Sequence, residues 1–380
     1  MDQKLQGYIK DNRQELFDLL RELVLIQSYS RNKKGVDRVG QRIALEIGKM
    51  GFSLERSKQE NLGDHLIARS PGYEPGKKQI LITGHMDTVF PEESSFNWYK
   101  EDDHKCFGPG VADMKGGLVV GIFALKALIH TGKINTLPIT FIFNSDEEIG
   151  SPTSRALIRE EADKARLAYV LEAGGLAGEI VSGRKGNFSA RLSISGKAGH
   201  AAFAGRDKAS AILELAHKTL AIEALNAPEK GISANVGTVQ GGIGPNTVPD
   251  LAKAALDFRF LSDSDGADLK NRLSGIIEDQ TVPGTRAEME IVSGRPAMPQ
   301  TRTNRDLFEK IRTLANDLET PVVEELRQGV SDANIIASRG IPVIDGLGPL
   351  GAKDHSEDEF IDRASLWERS VLFANILAEI

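Results

Sequence analysis

The sequence predicts an α/β domain with a largely parallel sheet, interrupted by a smaller domain of order βαββαβ. Three observations predict it. The chain has 380 residues, more than one hydrophobic core usually organises. Strand-like runs alternate with helical patterns toward both ends, and several runs are apolar on both faces, as strands buried between helices are. Between Lys185 and about Ser293 the order changes to strand, helix, strand, strand, helix, strand.

The elements follow in order. An amphipathic helix over about residues 12–27 puts Leu16, Leu20, Leu23 and Val24 on one stripe, and a second helix covers about 35–51. "FSLERSKQ", "HLIARS" and "KKQILITGH" read as strands. "GGLVVGIFALKALIH" reads as a buried helix running to Gly132. Strand "LPITFIFNS", a polar helix near 153–165 and strand "RLAYVLEAGG" complete the first part. The inserted part reads "FSARLSISG", helix "DKASAILELAHKTLAIEAL", strands "SANVGTVQGG" and "LAKAALDFRFLS", helix "GADLKNRLSGIIED" and strand "RAEMEIVS". After "SGRPAMPQ" the alternation resumes through "DLFEKIRTLANDL", "PVVEEL", "SDANIIASRG" and "IPVIDGLG" to a helix from about Ala364. The expected domains are therefore 1–183 with 294–380, and an insert at 184–293.

Composition narrows the function classes. A net charge of −7 argues against nucleic acid or an anionic membrane as the main partner. No apolar run approaches the roughly 20 residues that span a bilayer, and the opening residues lack a signal-peptide core. A cytoplasmic protein is expected. The single cysteine, Cys106, excludes an intrachain disulfide and a thiolate cluster, so any metal must sit on His, Asp and Glu.

Five such groups follow apolar strands or lie in glycine-rich loops. "ILITGHMDTVFP" puts His85 just past a strand, with Asp87 placed to accept the imidazole's second N–H and fix its tautomer. "GPGVADMKGG" fits neither the phosphate-loop nor the dinucleotide spacing, and leaves Asp113 on a loop before a helix. "FNSDEEIGSP" ends a strand in Asp146, Glu147 and Glu148. "AYVLEAGG" ends another in Glu172, and "GAKDHSEDEF" offers His355. Singly, Asp113 reads as a helix cap and the acidic triplet as complementing a helix dipole. Jointly, two histidines and three carboxylates suit a pair of borderline divalent ions, most naturally zinc, with one carboxylate bridging. Such a site needs a base that is not itself a ligand, and the doublet Glu147–Glu148 supplies one of each. Asp146 keeps the plain reading of a solvated loop or helix-start acid.

The ordered set "GHMDTV", "GPGVADMKGG", "DEEIGS", "LEAG" and "DHSEDEF" resembles the zinc exopeptidase and amidohydrolase family. That family includes glutamate carboxypeptidase (carboxypeptidase G), acetylornithine deacetylase, succinyl-diaminopimelate desuccinylase, aminoacylase and tripeptidase T, and the glutamate carboxypeptidase branch is nearest. The resemblance covers nearly the whole chain. It implies a three-layer zinc-exopeptidase (phosphorylase/hydrolase-like) catalytic domain, an inserted ferredoxin-like lid or dimerisation domain, and a homodimer. It also implies two Zn2+ per subunit, or Co2+ or Mn2+ in their place, held by His85, Asp113, Glu148, Glu172 and His355 with Asp113 bridging. Asp87 would orient His85, Glu147 would be the general base, and the Asp113–Met114 peptide would be cis.

In the insert, the resemblance makes His200 a residue that enters the partner subunit's active site and steadies the oxyanion. Its plain alternative is a turn residue. Asn246 and Arg259 match residues that bind the substrate carboxylate, though Arg259 also reads as a salt-bridged strand arginine. Arg295 is similar to a lid-edge arginine. The loop at Gly329 to Ser331 matches a substrate-facing loop, with Gln328 where the family often has glycine. Ile180 stands where glutamate carboxypeptidases place a lysine for the acidic side chain, and Arg184 and Lys185 are the nearby substitutes. The expected activity is hydrolysis of an amide bond next to a free carboxylate, in a short peptide or N-acyl amino acid. An N-acyl-amino-acid deacylase is the alternative, and a non-catalytic binding protein is the rival that an intact ligand set disfavours.

Overall fold

The computed structural model describes residues 2–379, so the outermost residues of the expected domain, 1 and 380, lie outside it. The chain forms two compact units: residues up to Gly183 with Gln300–Arg327 and Ser331 onward, and Arg184–Pro299 with Gln328–Val330. The inserted unit runs past the expected boundary at 293. Its last strand continues to Arg295, and a bridge between Arg184 and Met298 closes its base.

The first unit is built on a six-stranded sheet ordered Ser53–Ser57, His65–Arg69, Ile139–Asn144, Gln79–His85, Ala165–Val170, Val343–Ile344. Three of the five pairings are parallel; the two at the Ser53–Ser57 edge are antiparallel, so the sheet is mixed rather than largely parallel. Strands Gln79–His85 and Ile139–Asn144 are buried at every residue, which is why they read as unbroken apolar runs. Helix Gly116–His130 is buried along most of its length and packs against Arg363–Glu379, Gln3–Asp11 and Arg13–Val24. Gly117 permits this packing, because a Cβ there would lie 1.8 Å from the Leu171 carbonyl oxygen. Arg155–Lys164 and Asp332–Ala337 pack together against strand Ala165–Val170.

The opening amphipathic pattern is two helices, Gln3–Asp11 and Arg13–Val24. They part at Asn12, whose side-chain amide donates to the Tyr8 carbonyl at 2.7 Å and satisfies the end of the first helix. A small sheet of Gly351–Ala352, Phe360–Asp362, Lys105–Phe107 and Lys100–Glu101 is not foreshadowed by the sequence. Its strands are too short to carry a period.

The second unit is a four-stranded antiparallel sheet ordered Ser233–Gly241, Leu251–Phe260, Gly186–Ser195, Arg286–Arg295, with helices Ala211–Glu223 and Asp263–Glu278. This is the split βαββαβ arrangement. Phe188 and Phe258 stack in its core with ring centroids 4.6 Å apart. A bulge at Val292 interrupts the register of the last strand, and beyond it Arg295 pairs with Asn187. No helix among the described residues is long and apolar enough to cross a membrane.

Candidate metal centre and substrate-binding residues

Three neighbouring strands of the first unit deliver functional groups at one end. Strand Gln79–His85 ends in His85. Its parallel neighbour Ile139–Asn144 leads into the turn Glu147–Ile149, and its other neighbour Ala165–Val170 leads to Glu172. This is the end at which open α/β sheets hold ligands. Asp113 arrives on the loop before Gly116–His130, and His355 on the loop before Phe360–Asp362. The small sheet joins those two loops through the pairing of Phe360 with Phe107.

Asp113 spans the cluster. Its Oδ1 is 2.9 Å from His85 Nε2 and its Oδ2 is 3.1 Å from His355 Nε2. Glu172 Oε1 lies 3.7 Å from His85 Nε2, and Glu148 Oε2 lies 3.2 Å from His355 Nε2. Each histidine therefore shares its space with one Asp113 oxygen and one glutamate. Donors about 2.1 Å from a tetrahedral ion sit roughly 3.4 Å apart, close to the distances from each histidine to its two carboxylates, and one donor atom each of His85, Asp113 and Glu148 lie within 4.8 Å of one another. The Asp113–Met114 peptide is cis.

The crowded carboxylates perturb one another. Burial and the Asp113 charge push Glu148 up to about 8, and the same two causes raise Glu172 well above the carboxylate range. Burial works against ionised Asp113 too, but hydrogen bonds from His355 and His85 prevail and lower it. His355 is raised to about 11 by its bonds to Asp113 and Glu148. His85 is raised despite burial by Asp113 and Asp87. Divalent cations bound among these groups would relieve the same crowding. Glu148 Oε1 is also buried without a hydrogen-bond partner, which an ion would supply. The donor set fits divalent metal. Asp354, which the sequence reading passed over, lies with Asp113 and His355 in a grouping whose donor atoms fall within 4.8 Å of one another.

The surrounding groups refine the expected roles. His85 Nδ1 meets the main-chain carbonyl of Asp87 at 3.0 Å, closer than the Asp87 carboxylate at 3.4 Å. That carboxylate instead accepts from Ser30 Oγ at 2.6 Å and from the backbone N–H groups of Glu147 and Glu148 at 3.2 and 3.3 Å. Asp87 therefore pins the turn that presents both glutamates. Asp146 is not solvated: it is fully buried and accepts from the N–H and hydroxyl groups of Thr153 and Ser154, at the start of helix Arg155–Lys164. Glu147 stands close enough for its charge to act on both Glu148 and Glu172. Arg327, also missed, donates to the Ala173 carbonyl at 2.8 Å, directly after Glu172.

The second unit divides its candidates between two ends of one strand. His200 pairs with Thr247, and Ala201 N–H donates to the Asn246 carbonyl at 2.9 Å, so His200 and Asn246 are neighbours on exposed loops. His200 Nδ1 also accepts from Ala202 N–H at 3.3 Å, as a turn residue would. Arg259 and Arg295 flank Asn187 from either side at the opposite end of Leu251–Phe260. From Leu251 to Arg259 the strand covers roughly 27 Å, so Asn246 and Arg259 of one chain do not meet on one small ligand. Arg259 donates to Asp257 and to the Gln328 carbonyl, while buried Arg184 donates to the Gly329 carbonyl at 3.0 Å. Ile180 lies in the first unit's hydrophobic core, so its place offers no charge to a substrate.

The sequence profile of peptidase family M20/M25/M40 matches residues 81–379. Carboxypeptidase G2 of Pseudomonas sp. (strain RS-16) is 29% identical over 376 residues, covering 97% of this chain and 90% of that protein. A succinyl-diaminopimelate desuccinylase of Pseudoalteromonas atlantica (strain T6c / ATCC BAA-1087) is 25% identical over 391 residues, covering 96% and 99%. Among solved structures, aminopeptidase PepT from Bacillus cereus ATCC 10987 superposes with a TM-score of 0.79 at 25% identity, over 97% of this chain and 98% of that one. The M20 family metallo-carboxypeptidase Sso-CP2 from Sulfolobus solfataricus gives 0.79 at 18% identity, over 96% and 98%.

Proposed function

The chain belongs to peptidase family M20/M25/M40, whose members are metal-dependent peptidases and amidohydrolases, and from that premise we propose that it hydrolyses an amide bond adjacent to a free carboxylate. The substrate is a short peptide or an N-acyl amino acid. The observation that carries the reading is Asp113, one oxygen turned to His85 beside Glu172 and the other to His355 beside Glu148. Two ions held by these five residues, Zn2+ or else Co2+ or Mn2+, would supply Lewis acidity toward the amide carbonyl and the attacking water. Asp87 keeps Glu147 and Glu148 in place by their backbone N–H groups. Glu147 takes the water's proton and delivers it to the departing amine. Arg259 and Arg295 hold the substrate carboxylate by paired charged hydrogen bonds, with Gly329 on the adjoining loop.

His200 and Asn246 act, in this reading, on the active site of a second copy. Support comes from their distance along Leu251–Phe260 from the arginines, and from an apolar face on the same unit. Ser233–Gly241 is an edge strand with Val239 exposed, and on the neighbouring helix Leu213 and Leu220 are exposed, the latter by 72%. A homodimer would cover this surface. We place the protein in the cytoplasm, without nucleic acid or membrane as partner.

The buried Ile180 favours a second reading, an N-acyl-amino-acid deacylase of the desuccinylase or aminoacylase kind, because the expected grip on a glutamate side chain is missing. One experiment separates them: a mass-spectrometric screen of zinc-loaded protein against dipeptides, acyl-glutamates, N-acetyl and N-succinyl amino acids. Substrates with a free carboxylate should be cleaved and their amidated counterparts spared. Equal cleavage of both would refute the carboxylate requirement.

A further inference from the structure

The glycine-rich stretch at 108–117 is an anion-binding loop whose anion is built into the chain. Gly110 N–H donates to Glu359 Oε2 at 2.9 Å, and Ala112 and Asp113 N–H donate to Oε1 at 2.8 and 3.0 Å. Gly110 is left-handed, with φ 79°, and Gly108 also has a positive φ. Convergent N–H groups of this kind make a concave nest for negative charge. Glu359 fills it and is fully buried. Lys115, equally buried, lies close enough for the two charges to interact, and its Nζ is tied to the Ile26 carbonyl at 2.9 Å.

We infer that Glu359 is a positioning residue for the metal centre: it fixes the backbone of Asp113 so that each carboxylate oxygen faces one histidine, and thereby sets the affinity of the site for divalent ions. The inference rests on the proposed metal-dependent reading. Asp113 can span two donor groups only if its main chain is held in one orientation, and Glu359 accepts its N–H directly. His355 lies four positions earlier on the same loop, so one segment carries a donor and also anchors the opposite donor. The pairing of Phe360 with Phe107, next to Glu359 and to Gly108, holds the two loops in register.

The test is zinc retention in competition with a chelator, read as metal per chain by elemental analysis, and the rise in Tm on adding zinc. Glu359→Gln keeps the volume but turns an amide NH2 toward N–H donors. It should weaken zinc binding by about 10- to 100-fold, the range for residues that orient ligands, and shrink the zinc-dependent rise in Tm. Glu359→Asp keeps the charge and should retain more zinc, and it serves if the glutamine variant does not fold. Wild-type zinc affinity in both folded variants, or a fall in Tm equal with and without zinc, overturns the inference. A wild-type chain that holds no divalent metal overturns the metal reading along with it.

Discussion

The two units carry most of their candidate groups in opposite ways, exposed His355 and buried Arg295 being the exceptions. In the first, His85, Glu148 and Glu172 lie at or near buried strand ends, and their supports, Asp87, Asp146 and Glu359, are fully buried and saturated with hydrogen bonds. In the second, His200 and Asn246 stand on exposed loops, and Arg259 is half-exposed on a sheet face. A cluster of like charges must be held in place against its own repulsion, so its order is built in when the chain folds. Groups proposed to meet a soluble substrate or a second copy can stay hydrated until they are needed.

Substitutions can break that contrast. The largest effect should come from Glu147→Gln, with a loss on the order of 10³-fold or more in kcat while zinc content stays at the wild-type level. Retained activity would remove Glu147 from its role. Next, His200→Ala should lower kcat by about 10²-fold, the effect of losing one donor to an oxyanion. Mixing inactive Glu147→Gln and His200→Ala chains should restore activity through hybrid dimers. No recovery after confirmed subunit exchange would confine His200 to its own chain. Arg259→Ala should cost roughly 10- to 100-fold in kcat/KM, mostly through KM, again with metal content unchanged. A loss of zinc in that variant would contradict the separation of roles.

The smallest effect sharpens the comparison from the side of stability. His65 is buried between Ser145 Oγ and Thr153 Oγ1, each 2.9 Å away. Burial lowers its pKa below the ordinary 6.5, so the folded state prefers neutral imidazole. Its contribution is full above pH 6.5 and is lost as the pH falls through the depressed folded value. His65→Gln should cost about 1 kcal/mol at pH 8 and flatten the fall in Tm between pH 8 and pH 5.5. An unchanged acid slope would assign that fall to other groups.

The candidate metal-binding cluster was legible because long apolar runs stop at a histidine or an acid, and such stops need a reason. The ferredoxin-like order was legible from alternation of periods. What stayed hidden has a common cause. Asp146 and Glu359 look like any loop acids, because nothing in a residue's type reveals which backbone N–H groups will surround it. The role of Asp87 was read in part: its proximity to His85 was expected, its hold on the Glu147–Glu148 turn was not. Strands Lys105–Phe107 and Phe360–Asp362 are three residues each, too short for a pattern, yet they join the loops of Asp113 and His355. The antiparallel edge of the main sheet was missed because exposed Ser53–Ser57 announces a strand without its direction.

The bulge at Val292 gives register a chemical meaning. Ile291 pairs with Ala190, on the face that strand Gly186–Ser195 buries, and were Val292 paired rather than bulged, Arg295 would fall opposite Gly186 on that same face. With it, Arg295 pairs with Asn187 and shares the other face with Arg259. The face of the sheet on which position 295 falls is therefore set by register, not by attraction between side chains. Drawing Val292 into the ladder, so that Arg295 met Gly186, would turn a cation toward the hydrophobic interior, whereas deleting Val292 would leave the arginine opposite Asn187.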